Sequence, residues 1–182
     1  MGKTIIGALV GGLLIFIWQF ISWGPGSLHR SAQEYTPKQD SILAYLSSQF
    51  SEDGAYFMPT YPKGTTSEEM QKMMDTSKGK PWAQVYYHKE LKIDMLMNMI
   101  RGFLVNIVLA WLFIWLIGKL SSPSFGKIFS SALAVGVIVF LNTSYTMHIW
   151  YHSFDLYAHL ADALVSWALV GIWLGWWLTK KK

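Results

Sequence analysis

The sequence predicts an integral membrane protein, mainly α-helical. It has four transmembrane helices and a small periplasmic α/β cap that contains a two-stranded sheet. Three observations carry that fold class. Apolar residues make up 52% of the 182 residues and charged residues only 14%, unlike an ordinary soluble domain. Four apolar stretches fit helices that cross the hydrocarbon, which takes about 20 residues. The lysines next to those stretches lie on one side, apart from every Asp and Glu.

The elements follow in chain order. Thr4 to Trp23 is an apolar run behind Lys3, closed by bulky Trp18, Phe20 and Trp23. A cleavable signal peptide has a shorter apolar core and small residues before the cut, so residues 1–23 read as an uncleaved N-terminal anchor. Gly7 and Gly11 form a GxxxG pair, which allows a second helix to approach closely. Gly24-Pro25-Gly26 ends the helix, and residues 24–90 form the cap. Within the cap, Ile42, Leu43, Leu46 and Phe50 recur at helical spacing and predict an amphipathic helix over 39–50. Glu52-Asp53-Gly54 signals a turn, and Ala55 to Met58 reads as a short strand. Thr66 and Glu69 fit a capping box that opens a helix, and Gly79 ends it. Trp82 to His88 is aromatic and β-branched, a second strand. A cap of this size is too small to bury a large core alone.

Residues 91–182 form the remaining three-helix membrane region with a Lys-rich tail. A long helix is predicted from Glu90 to Leu120, polar at first and apolar from Gly102 to Ile117. A short loop with Pro123 leads to a third span, Lys127 to about Met147. The fourth runs from about Asp155 to Thr179 and ends in three lysines. Charge sets the orientation. Lys3, Lys119, Lys127 and Lys180 to Lys182 give +6 on one side, and the rest of the chain carries −2. Short cytoplasmic segments collect Lys and Arg. Both termini and the 119–127 loop are therefore expected in the cytoplasm of a bacterial inner membrane, and residues 24–90 in the periplasm.

Depth narrows the function classes. At 1.5 Å per residue, Asp162 lies about 27 Å above Lys180, and Arg101 about 27 Å above Lys119. At the same rise, His159, His148 and Asp155 lie about 31–37 Å up. The ionisable groups thus gather at the outer interface of a core about 30 Å thick. No charge falls at the midplane, where ionisable residues mark pathways. Only Gln19, Asn106, Asn142, Thr143 and Ser166 are polar at depth. This argues against a proton-coupled transporter, and the lack of an inner-side His argues against two membrane-spanning haems. With no cysteine, thiolate metal and redox chemistry are excluded. There is no GxSxG, P-loop or dinucleotide fingerprint, and no basic stripe for nucleic acid.

One stretch concentrates polar side chains, His148 to Asp162, reading HIWYHSFDLYAHLAD. On an unbroken helix His148, His152, Asp155, His159 and Asp162 share a face about 80° wide. His148, His152, His159 and Asp155 are then candidate metal ligands for Zn, Cu or Fe, and His29 and His88 are outside and within approach. HxxxH lacks the Glu of HExxH. A turn near Tyr151 to Ser153, with Ser153 as N-cap and Asp155 in the first turn, suits the helix dipole and splits the face. The expectation is then interfacial anchoring by Trp150, Tyr151, Phe154 and Tyr157 without a tightly held metal. Asp162 is expected to pair with Arg101 at the same depth. Met95, Met97 and Met99, spaced by two, scatter around a helix and read as soft packing.

Residues 141–177, LNTSYTMHIWYHSFDLYAHLADALVSWALVGIWLGWW, resemble the C-terminal hairpin of a family of uncharacterised bacterial inner-membrane "hypothetical" proteins. The resemblance extends to Ser22-Trp23 at the end of the anchor, to the aromatic-Met-Pro strand Tyr56-Phe57-Met58-Pro59, to the aromatic pair Trp150-Tyr151 and to Asp162. It covers most of the chain in layout and few positions specifically. It implies the same anchor-cap-hairpin layout and no catalytic or ligand residues, and the histidines lie outside it. The sequence reading is therefore a non-catalytic accessory, assembly or scaffolding subunit of a membrane complex. Its expected partners are lipids and other integral subunits or a second copy, with no cofactor and no nucleic acid. The alternatives are a metal-binding or redox protein using the histidine cluster and, more weakly, an enzyme acting at lipid headgroups.

Overall fold

The computed structural model describes residues 2–180. Helix α1 spans Gly2–Trp23, α2 Gln39–Gln49, strand β1 Gly54–Met58, α3 Ser67–Ser77 and β2 Ala83–Tyr87. Helix α4 spans Met95–Ile117, α5 Phe125–Phe140, α6 Thr146–Trp150 and α7 Leu156–Thr179. A π-helical stretch, Leu141–Tyr145, joins α5 to α6. Among the described residues, four helices are long and apolar enough to cross a membrane: Gly2–Trp23, Met95–Ile117, Phe125–Trp150 and Leu156–Thr179. The chain forms two compact units, one of residues up to Glu34 and from Asp94 onward, the other Tyr35–Ile93. The second unit thus begins eleven residues later than the cap expected from the Gly-Pro-Gly break, because residues 24–34 pack with the helices.

In the first unit α1 packs between α4 and α7, and α7 between α1 and α5. The neighbours run antiparallel. Phe16 meets Phe103 edge-on at 5.7 Å near one end of α1 and α4. Toward the other end of α1, a Cβ added at Gly7 would lie 3.1 Å from Ile114 and 3.2 Å from Leu174. The tightest approach is one the GxxxG pair leaves out. A Cβ at Gly12 would stand 2.7 Å from backbone atoms of Ile107, a distance no side chain tolerates. Close backbone approach of this kind is what small residues permit where apolar helices meet. The core between the helices holds Ala8, Ile15, Phe113, Trp167, Val170 and Leu174, with Phe113 and Trp167 edge-to-face at 5.4 Å. Asn106, buried, donates to Gln19 Oε1 at 2.7 Å, a polar link between α1 and α4 at depth.

Two boundaries differ from the sequence reading for local reasons. Helix α4 starts at Met95, not Glu90, because the Asp94 carboxylate caps it by accepting the Met97 N–H at 2.9 Å. The third apolar helix continues past Met147 to Trp150. There Thr143 and Thr146 hydroxyls donate to the Val139 and Leu141 carbonyls at 2.6 and 2.7 Å, satisfying carbonyls where the ladder widens.

In the second unit β1 and β2 pair antiparallel, from Gly54 opposite Tyr87 to Met58 opposite Ala83. An isolated two-stranded ribbon is marginal in water. Here Phe50 stacks on Tyr56 at 3.8 Å and meets Tyr87 edge-on at 5.5 Å, which covers one face of it. Helix α3 carries the predicted capping box. Glu69 N–H donates to the Thr66 hydroxyl oxygen, and the Thr66 N–H donates to the Glu69 carboxylate at 2.9 Å. That backbone N–H, followed by the Thr66 hydroxyl, holds the Glu69 carboxyl below its ordinary range.

Candidate functional site

The turn after α1 builds the site. Gly24 N–H donates to Phe20 O, Gly26 N–H to Ile21 O at 2.7 Å and Leu28 N–H to Ser22 O. These bonds satisfy carbonyls at the end of the helix that would otherwise lack partners. A Cβ at Gly26 would lie 2.6 Å from the Ile21 oxygen, so only glycine lets the chain fold back this sharply. Ser27 follows in the left-handed region, φ 50°, and its hydroxyl donates to Gly24 O at 3.3 Å. The chain is thereby turned back and His29 is buried, 2% exposed.

His29 uses both ring nitrogens on α7. Nδ1 lies 2.7 Å from Asp155 Oδ2 and Nε2 lies 2.9 Å from Asp162 Oδ2. Asp155 and Asp162 are seven residues apart, and at about 100° per residue they project from one face of a helix. His159, between them on that face, has Nε2 3.4 Å from the same Asp155 Oδ2, and its ring is 4.8 Å from that of His29. Trp23 stacks flat on His29 at 3.7 Å. Trp18 donates from Nε1 to Asp162 Oδ1 at 3.0 Å, so both Asp162 oxygens are engaged. Ser31 donates to Phe154 O at 2.9 Å and fastens the strap a second time. Asp155 occupies the N-cap position of α7 yet makes no side-chain cap bond, its carboxylate being turned to the two histidines instead.

The electrostatics are unusual for so dry a place. Asp155 is 6% exposed, and among the described residues no Lys or Arg pairs with Asp155 or Asp162. A neutral imidazole has one N–H, so it cannot donate to two carboxylates at once. A neutral His29 therefore satisfies only one of the two aspartates, and carboxylates out of water need a partner.

The structure places the sequence candidates as follows. Asp162 binds His29 and Trp18 rather than Arg101. Arg101 is on α4, with α1 packed between α4 and α7, and its side chain is exposed. His159 and Asp155 join the cluster, but His148 and His152 do not. Residues 151–155 are not helical, so the single face from His148 to Asp162 does not form. His148 instead accepts the Ser153 backbone N–H at 3.2 Å on Nδ1 and stands 4.5 Å, ring to ring, from His152. His88 pairs with Asp53 at 3.5 Å in the second unit, both well exposed. The Lys89 backbone N–H, with His88 in support, keeps the Asp53 carboxyl below its ordinary range. Gly7 and Gly11 both line the α1 face against α4, where a Cβ at Gly11 would meet Ala110 at 3.1 Å.

The sequence reading placed His29 only among the residues within approach. The signal that singles it out is the i, i+4, i+7 pattern Asp155, His159, Asp162, an acidic helix face that needs a cation from elsewhere. No protein-family model, curated protein or solved structure was found to match the chain.

Proposed function

We propose that this chain is a multi-pass protein of a bacterial inner membrane and acts there as a non-catalytic accessory, assembly or scaffolding subunit of a larger membrane complex. The observation that carries the reading is the outer face of α4. This helix packs mainly on α1, which leaves Leu104, Val108, Trp111, Leu112, Trp115 and Leu116 about half exposed along its length. An apolar face of that extent belongs in lipid or against another apolar helix, and its two tryptophans favour a protein neighbour in part of it.

Charge supports the orientation. The Lys3 ammonium donates to Lys180 O at 3.2 Å and Trp177 Nε1 donates to Lys3 O at 2.8 Å, so both ends of the described chain meet at one end of the bundle. Lys119 and Lys180 lie over the rings of Trp115 and Trp176, the pairing of Lys and Trp found at membrane interfaces. Both termini are then cytoplasmic and residues 24–90 periplasmic. Reporter fusions after Lys182 and within residues 60–65 test this, and a periplasmic signal at the C-terminus contradicts it. For the subunit role, the protein is extracted with its native lipid by a styrene–maleic copolymer and sized. The reading predicts an assembly larger than one chain that Trp111→Ala/Trp115→Ala disperses. A monodisperse monomer overturns it.

A further inference from the structure

We infer that the His29 cluster is a binding site for one divalent transition cation of the zinc or iron class, with His29, His159 and Asp162 as ligands. The inference stands on the geometry of the cluster and is independent of the subunit role proposed above.

The ligand atoms of His29, His159 and Asp162 all lie within 4.8 Å of one another. Two imidazoles and one carboxylate suit borderline metals such as Zn and Fe, and this set leaves at least one coordination position open. What separates the cluster from a chance meeting of polar groups is the support around His29 and Asp162. Metal-bound histidine usually donates its other ring N–H to a carboxylate, which fixes the ring. His29 already makes that bond from Nδ1 to Asp155 at 2.7 Å, leaving Nε2 toward Asp162 and the site. Asp162 is oriented by the Trp18 N–H on its other oxygen. Trp23 covers the His29 ring, which limits its motion and excludes water.

The charge count favours a cation: Asp155 and Asp162 have no Lys or Arg partner among the described residues and are faced by imidazoles alone, those of His29 and His159. A dication with two carboxylates is neutral, the condition that burial favours.

Occupancy requires two adjustments: the ligand atoms, up to 4.8 Å apart, draw in where the gap is wide, and the closest pair moves apart. Ligands on a metal with bonds of about 2.0–2.1 Å stand about 3.3 Å apart in a tetrahedron. The 2.9 Å gap between His29 Nε2 and Asp162 is a hydrogen-bond distance, so the cation replaces the shared hydrogen and the gap opens by a few tenths of an ångström. The His148–His152 pair lacks all of this, having a serine and no carboxylate as its polar partner.

The test uses the full chain in mild detergent, without a His-tag, stripped with chelator and re-equilibrated. Zinc binding is followed by calorimetry and by elemental analysis after gel filtration, and cobalt(II) serves as the spectroscopic probe. One ion per chain is expected, with an X-ray absorption signature of two imidazoles and a carboxylate. His159→Gln and Asp162→Asn should abolish binding, and Asp155→Asn should weaken it about 10–100-fold. His148→Ala/His152→Ala should leave it unchanged. Because His29 variants can fail to fold, the wild-type measurement decides first. Folded protein that takes up no zinc overturns the inference. So does binding that survives His159→Gln and Asp162→Asn, or that is lost with His148 and His152.

Discussion

The molecule holds two pairs of neighbouring histidines, and only one of them is set among carboxylates. His148 and His152 are 4.5 Å apart ring to ring, His29 and His159 4.8 Å. Proximity does not distinguish them. The first pair spans the end of α6 and the turn before α7, exposed or half exposed, with the Ser153 backbone N–H and hydroxyl as polar partners of His148. The second pair is built around a fully buried ring, two carboxylates and a tryptophan donor. The histidine-dense stretch of the sequence is therefore the wrong guide. Burial and the presence of carboxylates decide which histidines do more than anchor.

That contrast sets a scale of effects. His29→Leu removes the imidazole shared by buried Asp155 and part-buried Asp162, leaving His159 as the ring facing Asp155, and a loss of about 3 kcal/mol is expected, read as unfolding of the detergent-solubilised protein. His148→Ala/His152→Ala should change the same stability by no more than about 0.5 kcal/mol, as for surface positions in general. Equal losses in the two variants would erase the distinction. Next in size is Trp18→Phe, which keeps the ring but removes the N–H that donates to Asp162. A loss of about 1.5–3 kcal/mol is expected, the range for hydrogen bonds to charged groups, and a silent substitution would place Trp18 outside the cluster.

Most of the fold was legible in the sequence, because bilayer-length apolar runs, the Gly-Pro-Gly break, the Thr66–Glu69 box and the two aromatic strands are local signals. The misses have local causes as well. Glu90 to Ile93 carried polar residues compatible with a helix, but the Asp94 cap competes successfully and starts α4 later. Asp155 read as a helix-dipole partner, yet its carboxylate is drawn to His29. The site itself was half legible. Asp155, His159 and Asp162 were singled out, but their partner stands 126 and 133 residues away in sequence for the two aspartates. No periodicity reports a contact made by folding a strap back over another helix. Equal depth suggested Arg101 for Asp162, and depth says nothing about which helix lies between.

A smaller effect sharpens the picture of the dry cluster. Ser22→Ala removes a buried hydroxyl with no partner among the described residues. In metal-free protein, deleting an unpaired polar group should be neutral or stabilising, by up to about 1 kcal/mol. A clear loss would mean that Ser22 is bonded, and that the face of α1 next to Trp18 is wet.

The most direct measurement is a double-mutant cycle between His29 and Asp155 in chelator-treated protein. His29→Leu, Asp155→Asn and the double variant are compared by unfolding. If the imidazole and the two carboxylates form one network, the double variant loses less than the sum of the singles by at least about 1 kcal/mol, because residues in one network couple. Additivity within about 0.5 kcal/mol would show that His29 and Asp155 do not act on each other, and would contradict the account.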